Sequence, residues 1–250
     1  EFRRVLFRSA CGAAAGLATR SWYQSQGITG SIPFRGPIAA NTVAGTISGW
    51  GAAFALSKKS LGGRLPLSRL LEDAIHYAER GVPVTHSQSA LTEKKRAELT
   101  PQPGFADTFL ANGKAPATGS VFLQKRLAAT LRQIAKKGTD DYYRGELAEQ
   151  ITKELKQIGS PLQLDDLNRH QAKLINPLHL AHSVADVYNM TPPTQGVVSL
   201  MILGILDQLN LRQYAVDSPS LYTRLYTRGV PFLVLATLFL TLMSVAGDLV

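Results

Sequence analysis

The sequence predicts an α+β protein in which helix outweighs strand. Apolar residues recur at helical spacing in several stretches from residue 10 onward, glycines and prolines punctuate those stretches, and one stretch near residue 180 alternates apolar with polar residues. The 250 residues are 45% hydrophobic, enough for one large domain or two small ones with a sizeable core, and too apolar for a disordered chain.

The first clear helix lies in LPLSRLLEDAIHYAERGVPV, where Leu67, Leu70, Leu71, Ala74, Ile75 and Ala78 form one apolar stripe. Pro66 opens it, and Gly81 followed by Pro83 stops it, because glycine tolerates a left-handed cap and proline cannot continue a helix. A second helix in FLQKRLAATLRQIAKKG turns Leu123, Leu127, Leu131, Ile134 and Ala135 inward and ends at Gly138 behind two lysines. A third follows in ELAEQITKELKQIG. In SPLQLDDLNRHQ, Asp165 or Asp166 caps a short helix by accepting from its first-turn N–H groups. INPLHLAHSVADVYNM reads as strand, with Leu178 and Leu180 alternating with His179. It leads into TPPTQG, where Pro192 and Pro193 stiffen the exit and Gly196 lets the backbone bend. The helix from Val197 to Leu209 is apolar on nearly every side, which predicts burial among other elements.

The formal charge of +9 invites a nucleic-acid reading, yet the basic residues alternate with acids, as in LTEKKRAELT, and no cationic block carries aromatics. Nucleic acid is therefore not an expected partner. A single cysteine, Cys11, excludes an internal disulfide and any cysteine-based zinc site. The ends differ from the middle. EFRRVLFRS, residues 1–9, reads as an adapter-like segment foreign to the rest. Residues 227–250 read as an apolar tail outside the main pattern, preceded by the doubled LYTRLYTR. The uncharged run 229–247 is long enough for a transmembrane helix, which is the alternative reading and the sole membrane expectation.

No spacing rises to a catalytic site. His179 and His182 are three apart, a metal-ligand spacing on a helix, but on a strand they point to opposite faces. His76 and His86 lack partners at ligand spacing and are expected in solvent. The pairs Asp140 with Asp141 and Asp165 with Asp166 could supply acid and base groups, but neighbours on a helix do not face each other, so capping is the expected role. GTISGWG lacks the spacing of a dinucleotide loop, and NGKAPATGS lacks that of a P-loop. Asn112 and Gly113 predict a tight turn.

Four motifs in order give more. GPIAANTVAGTISGWGAAF, LPLSRLLEDAIHYAERGVPV, FLANGKAPATGSVFLQKRLAATLRQIAKKGTDDYYRGELAEQI and TPPTQGVVSLMILGILDQL together resemble the large subunit of the gamma-glutamyltranspeptidase family, across residues 19–225. Ala44 and Gln195 depart from the family's usual Pro and Gly. The resemblance implies part of the four-layer αββα sandwich of the N-terminal nucleophile hydrolases. It also implies a precursor that cleaves itself, freeing a threonine whose own amine serves as base, and transfer of a gamma-glutamyl group to water or an amino acid. Cephalosporin and glutaryl acylases share the scaffold, so an acylase-like amidohydrolase is the alternative within the family, and a membrane-anchored non-enzymatic module the alternative outside it. The implied partners are the small subunit of the same precursor and a small gamma-glutamyl substrate. No cofactor and no metal are implied.

The resemblance transfers no site residue. Its nucleophile lies past the matched region, and the arginine that grips the substrate α-carboxylate belongs where this chain has RSACGAAAG. Arg8 falls in the foreign-looking segment, and Cys11 and Gly12 carry no guanidinium. No catalytic, substrate-binding or metal residue is assigned, residues 10–226 are expected to be the large-subunit-like part, and this chain alone is expected to be inactive. Cytoplasmic and exported locations both stay open.

Overall fold

In the computed structural model the described residues are 7–192, 194–209, 213, 218–224 and 227. They form two compact units, one spanning Ala10–Lys173 and the other the remaining residues on either side. Each is taken by itself.

The Ala10–Lys173 unit is built from helices. In order they are α1 (Arg20–Ser25), α2 (Thr46–Ser60), α3 (Leu67–Arg80), α4 (His86–Leu99), α5 (Phe105–Phe109), α6 (Lys125–Lys137), α7 (Asp141–Arg144), α8 (Glu146–Gln157) and α9 (Leu164–Arg169). Two short strands, β1 (Val82–Pro83) and β2 (Val121–Phe122), pair antiparallel between the α3 and α6 regions. The side-chain oxygens of Thr19 and Thr85 accept from Trp22 N and Gln88 N, which starts α1 and α4. Gly81 and Gly138 stop α3 and α6 at φ of 90° and 91°, where a β-carbon would strain the backbone.

The α3 and α6 stripes pack against one another and bury Leu71, Leu131 and Ile134 together with Leu147 of α8; Ile47, Leu67 and Ile75 pack against this cluster. Each such side chain contributes about 2 kcal/mol when fully withdrawn from water. A second cluster joins Ala15, Val43, Tyr143, Ala148, Leu162 and Leu167. The contact is narrower than the stripes. Leu70, Ala74, Leu123 and Leu127, expected inside, are exposed, while Ala128, not singled out by the periodicity, is 1% exposed.

GTISGWG runs into the first turns of α2 rather than forming a loop. Asn112 and Gly113 do form the tight turn, at φ of 50° and 76°, with Ala111 and Lys114 exchanging backbone hydrogen bonds of 2.8 and 3.1 Å.

The second unit contains β3 (Phe7–Ser9), β4 (Lys173–Ile175), β5 (Leu178–Ala181), β6 (Asp186–Asn189), α10 (Gly196–Gln208) and α11 (Pro219–Arg224). β3 pairs with β4. INPLHLAHSVADVYNM is a hairpin rather than one strand: β5 and β6 pair antiparallel, Leu180 opposite Val187 and His179 opposite Tyr188. The helix starts at Gly196, where a β-carbon would stand 2.5 Å from both Asn189 Oδ1 and Met190 O, so this glycine serves close approach rather than a bend. Within α10 only Gly196 and Leu200 are buried, against the expected burial on every side. Pro193 and the 229–247 run lie outside the described residues. Among the described residues no helix is long and apolar enough to cross a membrane.

Candidate functional site

Residues 10–16 run antiparallel to residues 41–45. Ala15 N donates to Asn41 O at 2.8 Å, Val43 N donates to Ala13 O at 3.0 Å, and Ala14 bridges Thr42. The two segments touch backbone to backbone. A β-carbon on Gly12 would stand 1.7 Å from Val43 O, and one on Gly45 would stand 1.6 Å from Ala10 O, so only glycine fits at either place. Cys11, between them, is exposed.

Side chains from distant parts of the sequence hold this junction. Asp166 is buried and caps α9, its Oδ2 accepting from Gln163 N at 2.9 Å, while its Oδ1 accepts from Gly16 N at 2.8 Å and from Arg169 Nη2 at 3.1 Å. Tyr143 is 1% exposed; its hydroxyl donates to Ala44 O at 2.8 Å and accepts from Ser48 N at 3.0 Å. Burial pushes this phenol above its ordinary range, so the hydroxyl keeps the proton it donates. One oxygen thereby fixes the start of α2 to α7.

His170 lies beside Tyr143, with ring centroids 5.1 Å apart. Its carbonyl accepts from Arg144 Nη2 at 2.8 Å. The imidazole is buried, Nε2 makes no hydrogen bond of full geometry, and that atom stands 3.0 Å from where a Gly45 β-carbon would be. Burial first, and the Arg144 cation second, hold His170 below the usual histidine range, against a smaller opposing pull from a loose hydrogen bond to the Gly45 backbone. The ring is neutral at physiological pH. Arg144 also pairs with Asp140. Alongside, Ser48, Thr139, Asp140, Tyr143, Arg144 and Gln171 help line an open polar cavity of about 440 Å³.

The residues singled out from sequence are placed apart. His76 and His86 are exposed, as expected. His179 Nε2 meets Asp186 Oδ1 at 2.6 Å and its ring stacks on Tyr188. His182 lies beyond β5, not on the opposite face of the same strand; its Nδ1 accepts from Val184 N at 3.2 Å and its Nε2 stands 3.5 Å from Asp207. The two do not converge. Asp141 caps α8 by accepting from Glu146 N at 3.2 Å, and Asp166 caps α9, so the capping expectation holds for one member of each pair. Asp140 and Asp165 are exposed and pair with Arg144 and Arg169.

The architecture is similar to solved enzymes. The cephalosporin acylase of Bacillus halodurans superposes with a TM-score of 0.77 at 30% identity, over 90% of this chain and 41% of that one. Among curated proteins, an oxamate amidohydrolase proenzyme of Klebsiella pneumoniae is 50% identical over 81% of this chain and 38% of its own length. A glutathione hydrolase-like proenzyme of Bacillus subtilis is 35% identical over 89% of this chain and 41% of its length. The chain thus spans about two fifths of the relatives it matches.

The fold is that of the N-terminal nucleophile hydrolases, helix-rich and α+β. Within that class the chain belongs to the gamma-glutamyltranspeptidase family, whose model matches residues 3–228.

Proposed function

We propose that the whole protein is a self-processing amidohydrolase, that residues 10–226 supply part of its large subunit, and that its substrate is a small carboxylate-bearing amide of the oxamate kind. One observation carries the choice of substrate. Where the family resemblance places a guanidinium for the glutamyl α-carboxylate, Cys11 stands exposed between Ala10 and Gly12. The relative named for oxamate is also more similar to this chain than the one named for glutathione, 50% against 35% identical.

In such a reaction a threonine freed by self-cleavage passes its hydroxyl proton to its own α-amine and attacks the amide carbon. The acyl–nitrogen bond breaks, ammonia leaves with the proton, and water then releases the acid from the acyl-enzyme. Residues 1–250 alone supply no residue we assign to these steps, and we expect this polypeptide by itself to be inactive. The remainder of the precursor would also cover the exposed apolar face of α10.

A second reading, gamma-glutamyl transfer from glutathione to water or an amino acid, is favoured by the family as a whole. To decide, the complete precursor is expressed, its fragments are weighed by mass spectrometry for a threonine N-terminus, and ammonia release from oxamate is compared with glutamate release from glutathione. Oxamate turnover far above glutathione turnover is expected. The reverse ranking would establish the second reading, and the absence of any self-cleaved threonine would remove both.

A further inference from the structure

The C-terminal half of α2 meets the start of α3 across a concave surface. The turn between the two helices lies directly against α2: Gly63 N donates to Ser57 O at 3.0 Å, and a β-carbon on Gly63 would stand 2.3 Å from Ser57 Oγ. That close approach brings Arg64 and Leu65 beside the helix. The result is a hollow of about 410 Å³, within the size range of small-molecule sites. Its wall is apolar, with Trp50 and Phe54 from α2, Leu65 from the turn, and Leu67, Leu70 and Leu71 from α3. Leu71 also belongs to the α3–α6 core, which fixes the floor. Trp50, Leu65 and Leu70 are exposed, so large apolar side chains face water around a concavity.

The charge at this hollow has one sign. Lys58 and Arg64 line it, and among the described residues no carboxylate does. Glu72 and Asp73, the acids in the first turns of α3, pair with Arg69 instead. Lys58 Nζ rests 4.6 Å from the centre of the Phe54 ring, which ties the cation to the apolar wall. The Arg64 guanidinium has no acid and no hydrogen-bond acceptor among the described residues.

We propose that this hollow binds a small apolar carboxylate of the arylalkanoate kind. Its hydrocarbon lies against Trp50, Phe54, Leu65 and Leu70, and its carboxylate meets Arg64 and Lys58. Wall and charge select together. An acid as short as oxamate leaves the apolar wall in water, and an uncharged hydrocarbon leaves both cations without a counter-charge. The site goes beyond the amidohydrolase reading and does not depend on it, because binding is measured without turnover.

The test uses the complete protein and calorimetry with 4-phenylbutyrate and its neutral analogue 4-phenylbutyramide. The wild type should bind the acid about tenfold more tightly than the amide. Arg64→Gln, at an exposed position with no partner to lose, should bind the acid about tenfold more weakly and the amide as before, while Arg64→Lys keeps most of the affinity. Leu70→Asn should weaken both ligands alike. A wild type that binds no phenylbutyrate overturns the proposal, and is the result expected if a segment from the remainder of the precursor already fills the hollow. Equal affinity for the acid in wild type and Arg64→Gln also overturns it, as does an amide that binds as tightly as the acid.

Discussion

α6 and α10 are both 13 residues long, and they bury themselves differently. α6 is polar on one side, and its apolar side meets α3 within the same unit, so Ala128, Leu131 and Ile134 are fully enclosed. α10 is apolar nearly all round but lies against the β5–β6 hairpin on one side only, leaving Met201 36% exposed and an open apolar hollow lined by Leu178, Leu180, Val197 and Ile205. An amphipathic helix completes its core by turning its one apolar side to a partner. A helix apolar on every side needs cover on every side, and among the described residues α10 has it on one.

The strongest way to break this comparison uses glycines. Gly45→Ala would push a β-carbon to 1.6 Å from a backbone oxygen, which no side-chain movement relieves, and should leave the complete protein insoluble or unprocessed. Gly204→Ala in α10 meets Leu180 Cδ1 at 3.4 Å, an ordinary contact, and alanine favours a helix over glycine by about 1 kcal/mol. Soluble yield and processing of the two variants, side by side, check this. A well-folded Gly45→Ala protein would mean that the 10–16 and 41–45 segments are not held as tightly as their backbones indicate.

Core truncation comes next. Ile134→Ala opens a cavity in an enclosed cluster and should cost about 2–5 kcal/mol in denaturant unfolding of the complete protein. Met201→Ala, in residues 1–250 alone, should cost under about 1 kcal/mol, because its side chain is already partly in water. If the remainder of the precursor covers α10, the same Met201→Ala change costs more in the complete protein. Equal costs in both would leave α10 without that cover.

The helices with a polar face were legible because periodicity reports which side meets a neighbour, and α3 and α6 end at the glycines, Gly81 and Gly138, expected to stop them. The edges of the stripes were not legible. How much of Leu70 or Leu127 is covered depends on the crossing of α3 with α6, and no local pattern encodes it. The hairpin was read as strand without its turn, because HSVAD lacks the Asn-Gly or Asp-Gly pair that marks tight turns. The junction was least legible. Ala10, Gly45, Tyr143 and His170 come from four separate stretches, and a lone histidine between Arg169 and Gln171 gives no spacing to notice. Tyr143 stood within a family motif, but its bonds to Ala44 and Ser48 span nearly a hundred residues.

Electrostatic changes at the junction should be smaller than those in the core. Asp166→Ala leaves the N–H groups of Gly16 and Gln163 without their acceptor, and should cost about 1–3 kcal/mol, seen as a lower denaturant midpoint with an unchanged slope. The exposed partner Asp165 gives a contrast on the same short helix: Asp165→Ala removes a surface pair with Arg169 and should cost under about 1 kcal/mol.

The smallest expected effect is a pH slope. His170 in the fold binds a proton less readily than the ordinary histidine value of 6.5 allows, so the unfolded chain takes up a proton first as pH falls. The folded state therefore keeps its full advantage from this group above that value and loses it as pH drops through the depressed folded one. Unfolding midpoints of the complete protein should fall between pH 7.5 and pH 5 more steeply in the wild type than in His170→Asn, which has no proton to gain. A wild type and a His170→Asn variant with parallel slopes would mean that burial of the imidazole is relieved in solution.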